Sequence, residues 1–199
     1  MDSTFFGIVH STLIGIGLAA SCGFRVFVPM LVMGVAVRAG QLELSEGWRW
    51  LGSWPALTAF SVACVAEIGA YYIPWIDNAL DTIHTPTAVV AGIIATAACV
   101  SNMHPLLQWS TAIIAGGGIA AAVQGTTVLL RGTSTATTGG LGNFVVSTGE
   151  LVMSIIMSVL AVLIPILGAI VLFTIAVLVV RRVMRARAKK TMAVKSGGP

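Results

Sequence analysis

The chain has 199 residues, of which 57% are hydrophobic and 9% are charged, and its mean hydropathy is +0.97. Soluble domains carry about 25% charged residues, so a chain this poor in charge cannot cover a water-facing surface. The composition excludes a soluble protein. It indicates an all-α, polytopic integral membrane protein with a single membrane domain, residues 1–180.

The positive charge is concentrated at the C-terminal end of the sequence. The net charge is +4, and seven of the eleven Lys and Arg residues lie in Arg181–Lys195. The rest of the chain is slightly acidic, which does not fit a nucleic-acid-binding protein. The positive-inside rule predicts that residues 181–199 form a basic cytoplasmic tail, which could also contact anionic lipid head groups.

The first apolar region is interrupted. Phe5–Ala20 is apolar, Ser21–Arg25 breaks the pattern, and Val26–Val37 resumes it. Each half is shorter than the ~20 residues that cross a bilayer comfortably. The pattern predicts either one broken or re-entrant element or two short spans. Gly15 and Gly17 would let another helix approach closely.

The segments that follow alternate between polar and apolar. The link Arg38–Pro55 contains three tryptophans, which favour the membrane interface, so we expect a short amphipathic helix there. A span is predicted at Ala56–Ile73, a loop at Trp75–Pro86 and a short span at Thr87–Val100. The three cysteines of the chain lie in or beside apolar runs, are odd in number, and are expected to be free buried thiols.

The stretch Gly116–Glu150 is the most unusual part of the sequence. It lies between the apolar runs Leu106–Val123 and Phe144–Val180, yet it is rich in Gly, Thr and other polar residues. Irregular backbone at membrane depth is tolerated only where protein buries it or water lines it. The stretch is therefore either a long polar loop outside the membrane or a broken-helix site inside it.

The last apolar run is too long for one span. At 1.5 Å per residue, Phe144–Val180 would extend roughly 55 Å as a helix, against a hydrocarbon core of ~30 Å. We expect two spans with a bend at Ile164–Gly168. The prediction for the whole chain is six or seven membrane-embedded helices, some of them broken or re-entrant.

A weak internal duplication is suggested by two short segments. Gly15–Ser21 resembles Gly116–Ala122, and each closes an apolar run before a polar break that contains an arginine. The corresponding repeat halves are residues 5–101 and 106–180. Duplicated halves with discontinuous helices are common in transporters. The spacing leaves open whether the halves are parallel or inverted.

Three groups of short motifs resemble a domain-of-unknown-function family of small bacterial membrane proteins. They are Gly17–Arg25 followed by Pro29, then Trp75–Asp81 with His84 and Thr85, and finally Gly116–Arg131 with Gly142, Asn143 and Ser147–Glu150. The resemblance covers roughly residues 5–180. It implies a membrane fold in the bacterial cytoplasmic membrane, but no reaction or substrate. The chain departs from the pattern where it has Gln124 in place of a histidine and a single Glu150 in place of an acidic pair.

Four ionisable residues lie in or beside apolar runs: Arg25, Glu67, Arg131 and Glu150. A charge in the bilayer centre costs about 2.5–3.5 kcal/mol on insertion scales, so the simplest arrangement is two Arg–Glu ion pairs. Such pairs either line a polar pathway, where arginines bind an anionic group and glutamates relay protons, or hold the helices together. For Glu67, three states remain open: paired with an arginine, exposed to a watery cavity, or protonated.

Gln124 and Asn143 complete the set of residues that we assign to a substrate or ion pathway. Asp77, Asp81 and His84 have helical spacing and are weak candidates for a metal site, although a solvated helical turn explains them equally simply. No Ser-His-Asp or HExxH arrangement occurs. We therefore expect no enzyme activity, no catalytic residues, no metal and no cofactor.

The leading functional hypothesis is a small transporter or channel with its polar route at the broken helices. The first alternative is a translocase of lipids or lipid-carrier phosphates, and the second is a non-transporting structural or assembly partner. The expected partners are the lipid bilayer and an unidentified small ion or lipid substrate. Nucleic acid is not expected, and a homo-oligomer is left open.

Overall fold

The computed structural model describes residues 3–71, 73–101 and 103–165, together with isolated positions up to residue 184. For residues 3, 4 and 74–81 it describes the backbone alone. The predicted basic tail, residues 181–199, lies almost entirely outside the described residues, and so does most of the second half of the run Phe144–Val180.

The described part of the chain is helical, as the composition predicts, and it contains no strand. The α-helices are α1 Ser3–Cys22, α2 Phe27–Arg38, α3 Trp54–Ala70, α4 Pro74–Cys99, α5 Pro105–Thr111, α6 Gly118–Thr138 and α7 Asn143–Leu163. A 3₁₀ helix, Glu46–Gly52, precedes α3, in the link where the tryptophans predict a short helix. A π-helical segment, Ala112–Gly117, joins α5 to α6.

The first two helices form a helical hairpin. Helix α1 runs antiparallel to α4, because Gly15 packs on Thr96 while Ala19 lies beside Gly92. After α2, the backbone N–H of Ser45 donates to the carbonyl of Ala98 at 3.0 Å. The chain therefore returns to the end of α4 near which α1 starts, and the break between α1 and α2 is the tip of the hairpin. The interruption predicted at Ser21–Arg25 is confirmed as a break between two helices.

Glycine and alanine allow the helices around α1 to approach closely. A methyl group on Gly17 would lie 2.6 Å from Cβ of Ala161 on α7, and one on Gly92 would lie 2.6 Å from Cβ of Ala120 on α6. Small residues at helix crossings are typical of membrane proteins, in which packing rather than the hydrophobic effect joins helices. The three cysteines are buried and free, as predicted.

Large apolar side chains cover the outside of the bundle. Ile114, Leu129 and Val145 are each more than 70% exposed, a distribution that suits lipid as the surrounding solvent. By length and composition, four of the described helices can cross a membrane, or five if the 3₁₀ helix and α3, which bend by 62°, count as one span. This supports an integral membrane protein. The predicted six or seven membrane-embedded helices and the internal duplication are not confirmed.

The stretch Gly116–Glu150 is neither of the two structures expected for it. Apart from one tight turn it is helical, and it forms a hairpin of α6 and α7. At the turn, Gly139 and Gly140 have φ of 64° and 94°, values that glycine adopts without steric cost. The hydroxyl oxygen of Thr138 accepts from the N–H of Gly142 at 2.9 Å. The threonines of the stretch are accommodated in helix because their hydroxyls donate to carbonyls one turn earlier, as Thr133 does to Leu129 at 2.8 Å and Thr137 does to Thr133 at 2.9 Å.

The loop predicted at Trp75–Pro86 is also wrong, because α4 runs without interruption from Pro74 to Cys99. Proline is favourable at a first helical position, which explains why the helix begins at Pro74. Pro86 lies in its interior, and Thr87 donates its hydroxyl to the carbonyl of Ile83 at 2.7 Å. Membrane helices tolerate proline where Ser or Thr side chains and neighbouring helices satisfy the freed backbone groups.

The last apolar run does end a helix at the predicted place. Helix α7 stops at Leu163, and Ile164 has non-helical torsion angles of φ −141° and ψ 72°. The residue before a proline is biased against the helical conformation, which accounts for the stop one residue before Pro165.

Candidate functional site

Buried polar side chains gather at one end of the bundle, around the tip of the α1–α2 hairpin. We call this group the polar cluster. Its members come from α3, α4, α6, α7 and the break after α1, and each is at most 6% exposed. They are Arg25, Glu67, Tyr71, His84, Gln124, Thr127, Arg131, Ser147 and Glu150.

Glu67 caps the start of α2 from a different helix. Its Oε1 accepts from the N–H of Val26 at 2.9 Å, and its Oε2 accepts from the N–H of Phe27 at 3.1 Å. The first N–H groups of a helix have no partner within the helix, and the helix dipole favours negative charge at this end. The carboxylate therefore stabilises a helix terminus that the hairpin turn leaves inside the protein.

His84 continues this hydrogen-bonded line. Its Nε2 lies 2.8 Å from Oε1 of Glu67, and its Nδ1 lies 3.2 Å from Oε1 of Gln124. An imidazolium donates from both nitrogens, so it satisfies both oxygens. A neutral imidazole donates to Glu67 and accepts from the Gln124 amide once that amide turns over. The line Glu67–His84–Gln124 can thus hold the ring with or without the extra proton.

Glu150 is the centre of the second part of the cluster. Arg131 donates to it from two nitrogens, from Nε to Oε1 at 3.0 Å and from Nη2 to Oε2. This is the bidentate geometry that guanidinium and carboxylate prefer. Nη2 of Arg25 lies 3.9 Å from the same Oε2. One carboxylate therefore faces two arginines.

Arg25 is the least satisfied member of the cluster. It is 1% exposed, and its Nη2 donates to the backbone carbonyl of Ser147 at 3.0 Å. Among the described residues, no hydrogen-bond partner contacts its buried Nε and Nη1 or the hydroxyl of Ser147. Buried polar groups nearly always have partners, so this pair of residues is a departure from ordinary packing.

Tyr71 lies between the two parts of the cluster. Its ring centroid is 3.8 Å from Cζ of Arg25 and 4.1 Å from Cζ of Arg131. The ring of His84 meets it edge-on with centroids 5.7 Å apart. The electron-rich face of an aromatic ring attracts a guanidinium. Tyr71 therefore connects the arginines to the Glu67–His84 line.

The predicted pairing of two arginines with two glutamates is half right. Arg131 pairs with Glu150, and Arg25 lies at the edge of the same carboxylate. Glu67 instead pairs with His84 and two backbone N–H groups. Helix termini offer donors that no residue type reveals, which is why a charge count assigned Glu67 to an arginine.

The other predicted site residues are placed as follows. Gln124 belongs to the cluster. Asn143 is the first residue of α7 and bonds Thr135 near the hairpin turn, donating from Nδ2 at 3.1 Å. The side chains of Asp77 and Asp81 lie outside the described residues, so the weak metal hypothesis is untested for them. Within the described part of the chain, no three His, Cys, Asp or Glu side chains form a group that could hold a metal ion.

Four members of the cluster were missed as pathway residues: Tyr71, His84, Thr127 and Ser147. The sequence predicts His84 only as a weak metal candidate and as part of a family motif, because Trp75–Pro86 resembles a loop. Tyr71 follows the end of α3 and Ser147 lies in an apolar run, and neither residue type stands out there. Helical spacing could have found Ser147, since it lies one turn before Glu150 and so shares its face.

Comparison with known proteins identifies a family but no function. Residues 12–185 match the family described as "Domain of unknown function (DUF4126)". No curated protein matches the chain. No solved structure matches it either.

Proposed function

The chain belongs to the DUF4126 family, and we propose that it is a small membrane transporter or channel whose polar route passes through the polar cluster. The observation that carries the proposal is the hairpin tip. Helix α1 ends and α2 begins inside the bundle, where the break is surrounded by buried charged side chains. Discontinuous helices with their termini at a central site are a recurring way to bind substrate in transporters.

The line Glu67–His84–Gln124 supplies a plausible proton-carrying element. It joins α3, α4 and α6 through hydrogen bonds of 2.8 and 3.2 Å. Ionisable groups inside membrane helices are costly and are most often retained for ion or proton pathways. Because the ring has an acceptor at each nitrogen and the amide can turn over, His84 can gain a proton from one side and lose it to the other.

A non-transporting structural role is the second candidate. The bidentate Arg131–Glu150 pair favours it, since that pair ties α6 to α7 across the hairpin. A structural core would need its buried donors satisfied. Nε and Nη1 of Arg25 have no partner among the described residues. Arg25 therefore fits a ligand-binding site better than a purely structural core.

The proposal also assigns a direction to the chain in the membrane. The seven basic residues in Arg181–Lys195 would hold the C-terminal end in the cytoplasm. A reporter enzyme that is active only in the periplasm, fused after Pro199, should therefore be silent in bacteria. An active fusion would reverse the orientation.

The transport proposal is tested with the purified protein in liposomes that contain a trapped pH-sensitive dye. A pH gradient, with the membrane potential clamped, should cause faster dye responses than in empty liposomes. His84→Gln keeps a hydrogen-bonding side chain but removes the titratable ring, and should reduce this flux to the background of empty liposomes. Arg38→Gln is the matched control, because Arg38 is exposed and stacks on Trp54 away from the cluster.

Two results would contradict proton transport through the cluster. One is wild-type flux no greater than that of empty liposomes. The other is normal flux in folded His84→Gln protein. Loss of flux in His84→Gln but not in Arg38→Gln, at equal amounts of folded protein, supports it.

A further inference from the structure

Arg25 offers hydrogen-bond donors that the described protein does not use. A guanidinium has five N–H hydrogens, and the three on Nε and Nη1 have no acceptor. The side chain is 1% exposed, so bulk water does not replace the missing acceptors. Tyr71 covers a face of the group, with its centroid 3.8 Å from Cζ, and leaves the N–H hydrogens at its edges.

Ser147 adds a hydroxyl beside this guanidinium. Its backbone carbonyl accepts from Nη2 of Arg25 at 3.0 Å, which places the serine directly against the arginine. The Ser147 side chain is fully buried, and its Oγ has no hydrogen-bond partner. Most serines on helices donate to the carbonyl one turn earlier, as Ser158 does to Ser154 at 2.6 Å. The free hydroxyl and the free N–H groups therefore occur together.

The positive charge of Arg25 is only partly balanced by the carboxylates near it. Both oxygens of Glu150 accept from Arg131, and Arg25 approaches one of them only at 3.9 Å. Glu67 is engaged by the start of α2 and by His84. Among the described side chains, the carboxylate nearest to Arg25 thus already accepts from Arg131 with both oxygens. A partly compensated guanidinium with free donors is the arrangement that proteins use for carboxylate and phosphate groups.

We propose that Arg25 and Ser147 form a binding site for a phosphate-type oxyanion. Guanidinium and hydroxyl both donate, and a tetrahedral oxyanion offers several acceptor oxygens to them. That this anion is also the transported substrate rests on the proposed function, whereas its binding does not. The same chemistry is presented by free inorganic phosphate and by the phosphomonoester head group of a membrane lipid.

Binding is measured by titrating inorganic phosphate, at constant ionic strength, into the purified full-length protein in detergent and recording the heat of binding. The wild type should bind saturably. Ser147→Ala retains the backbone carbonyl and removes one donor to a charged ligand, which should weaken binding about tenfold or more. Arg25→Lys keeps the charge but loses the planar fork, and should weaken binding at least as much. Arg38→Lys, at the exposed arginine outside the cluster, should leave it unchanged.

The source of the anion is decided in nanodiscs of phosphatidylcholine with or without phosphatidic acid. If phosphatidic acid competes with inorganic phosphate in the wild type, the ligand is a lipid head group. If phosphate binds equally well in both, the ligand is the free ion. Either result supports the site when Ser147→Ala weakens binding. Ser147→Ala is the decisive variant, because it removes no charge and is expected to fold.

The proposal is overturned if neither phosphate source binds, or if binding is the same in the wild type, Ser147→Ala and Arg25→Lys. The flux experiment is independent of this one. Anion binding without proton flux would refute proton transport through the cluster and leave the site. Flux without anion binding would refute the site and leave transport.

Discussion

The two buried glutamates of the polar cluster, Glu67 and Glu150, are neutralised in different ways. Glu67 is surrounded by two backbone N–H groups and an imidazole. Glu150 is surrounded by two guanidiniums, those of Arg131 and Arg25. Glu67 therefore depends on partners of partial or variable charge, whereas Glu150 depends on fixed positive charges. Two buried glutamates of similar exposure can therefore have different roles in the same cluster.

The partners explain the different roles that we assign. Guanidinium is always protonated in proteins, so the partners of Glu150 keep a fixed positive charge. Glu150 therefore suits a fixed anchor. A carboxylate facing a histidine has a neighbour whose two ring nitrogens can each bind or release a proton. It suits a site where protons are exchanged. We thus expect the Glu150 part of the cluster to be structural and to bind an anion. We expect proton exchange to take place in the Glu67 part.

Breaking the Glu150 part should have the largest effect on stability. Glu150→Gln removes the carboxylate that accepts from Arg131 and lies beside Arg25. Breaking a buried ion pair from one side costs about 3–5 kcal/mol in soluble proteins. We expect the unfolding free energy in mixed detergent micelles to fall by about that amount. Glu46→Gln, at an exposed position of the 3₁₀ helix, should change it by less than about 0.5 kcal/mol.

Equal stabilities of the two variants would show that the arginines find other partners when Glu150 is neutral, and the anchor role would then be wrong. A large loss in Glu150→Gln that disappears when Arg131 is also replaced by Met would confirm direct coupling between the two residues.

Breaking the Glu67 part should destabilise less and affect flux more. In Glu67→Gln the carboxamide oxygen can accept from one backbone N–H of α2, but its NH₂ group faces the other. One buried donor is left unpaired, at a cost of about 1–3 kcal/mol. The variant should fold, and proton flux per folded molecule should fall to background. Proton flux equal to that of the wild type, with the protein folded, would make Glu67 a helix cap and nothing more.

The membrane class, the break after α1 and the end of α7 could be predicted from sequence because each depends on local signals. Apolar composition indicates the solvent, the polar interruption at Ser21–Arg25 marks the hairpin tip, and Pro165 marks the helix end. Four ionisable residues in apolar runs were conspicuous for the same reason: charge is costly in a bilayer. Those four are all in or at the polar cluster.

The rest depended on which helices touch, and no local signal reports that. Polar residues in Trp75–Pro86 resembled a water-exposed loop, because a polar face that points into a protein has the same composition as one that points to water. His84 was therefore not recognised as a partner of Glu67. The backbone N–H groups of Val26 and Phe27 carry no mark in the sequence, and the free hydroxyl of Ser147 becomes visible only beside Arg25.

The smallest expected effect concerns Gln124, the last member of the proton line. Gln124→Leu removes the acceptor 3.2 Å from Nδ1 of His84 and is nearly isosteric. Side-chain hydrogen bonds inside membrane proteins contribute about 0.6 kcal/mol on average, so stability should change little. Gln108→Leu is the matched control. Gln108 donates to the carbonyls of Ala97 and Val100 at 2.7 and 2.8 Å, at the far end of α4, and its loss should cost a comparable or somewhat larger amount.

Proton flux should separate the two variants where stability does not. In Gln124→Leu, Nε2 of His84 still faces Glu67 and can exchange a proton there. The leucine side chain has no polar atom to receive a proton from Nδ1. Flux through Gln124→Leu should fall severalfold, while flux through Gln108→Leu should equal that of the wild type. If both variants lose flux equally, the loss is due to reduced stability and not to the change in the Glu67–His84–Gln124 line. If neither loses flux, the proton path ends at His84, and the Glu67 part of the cluster is complete without α6.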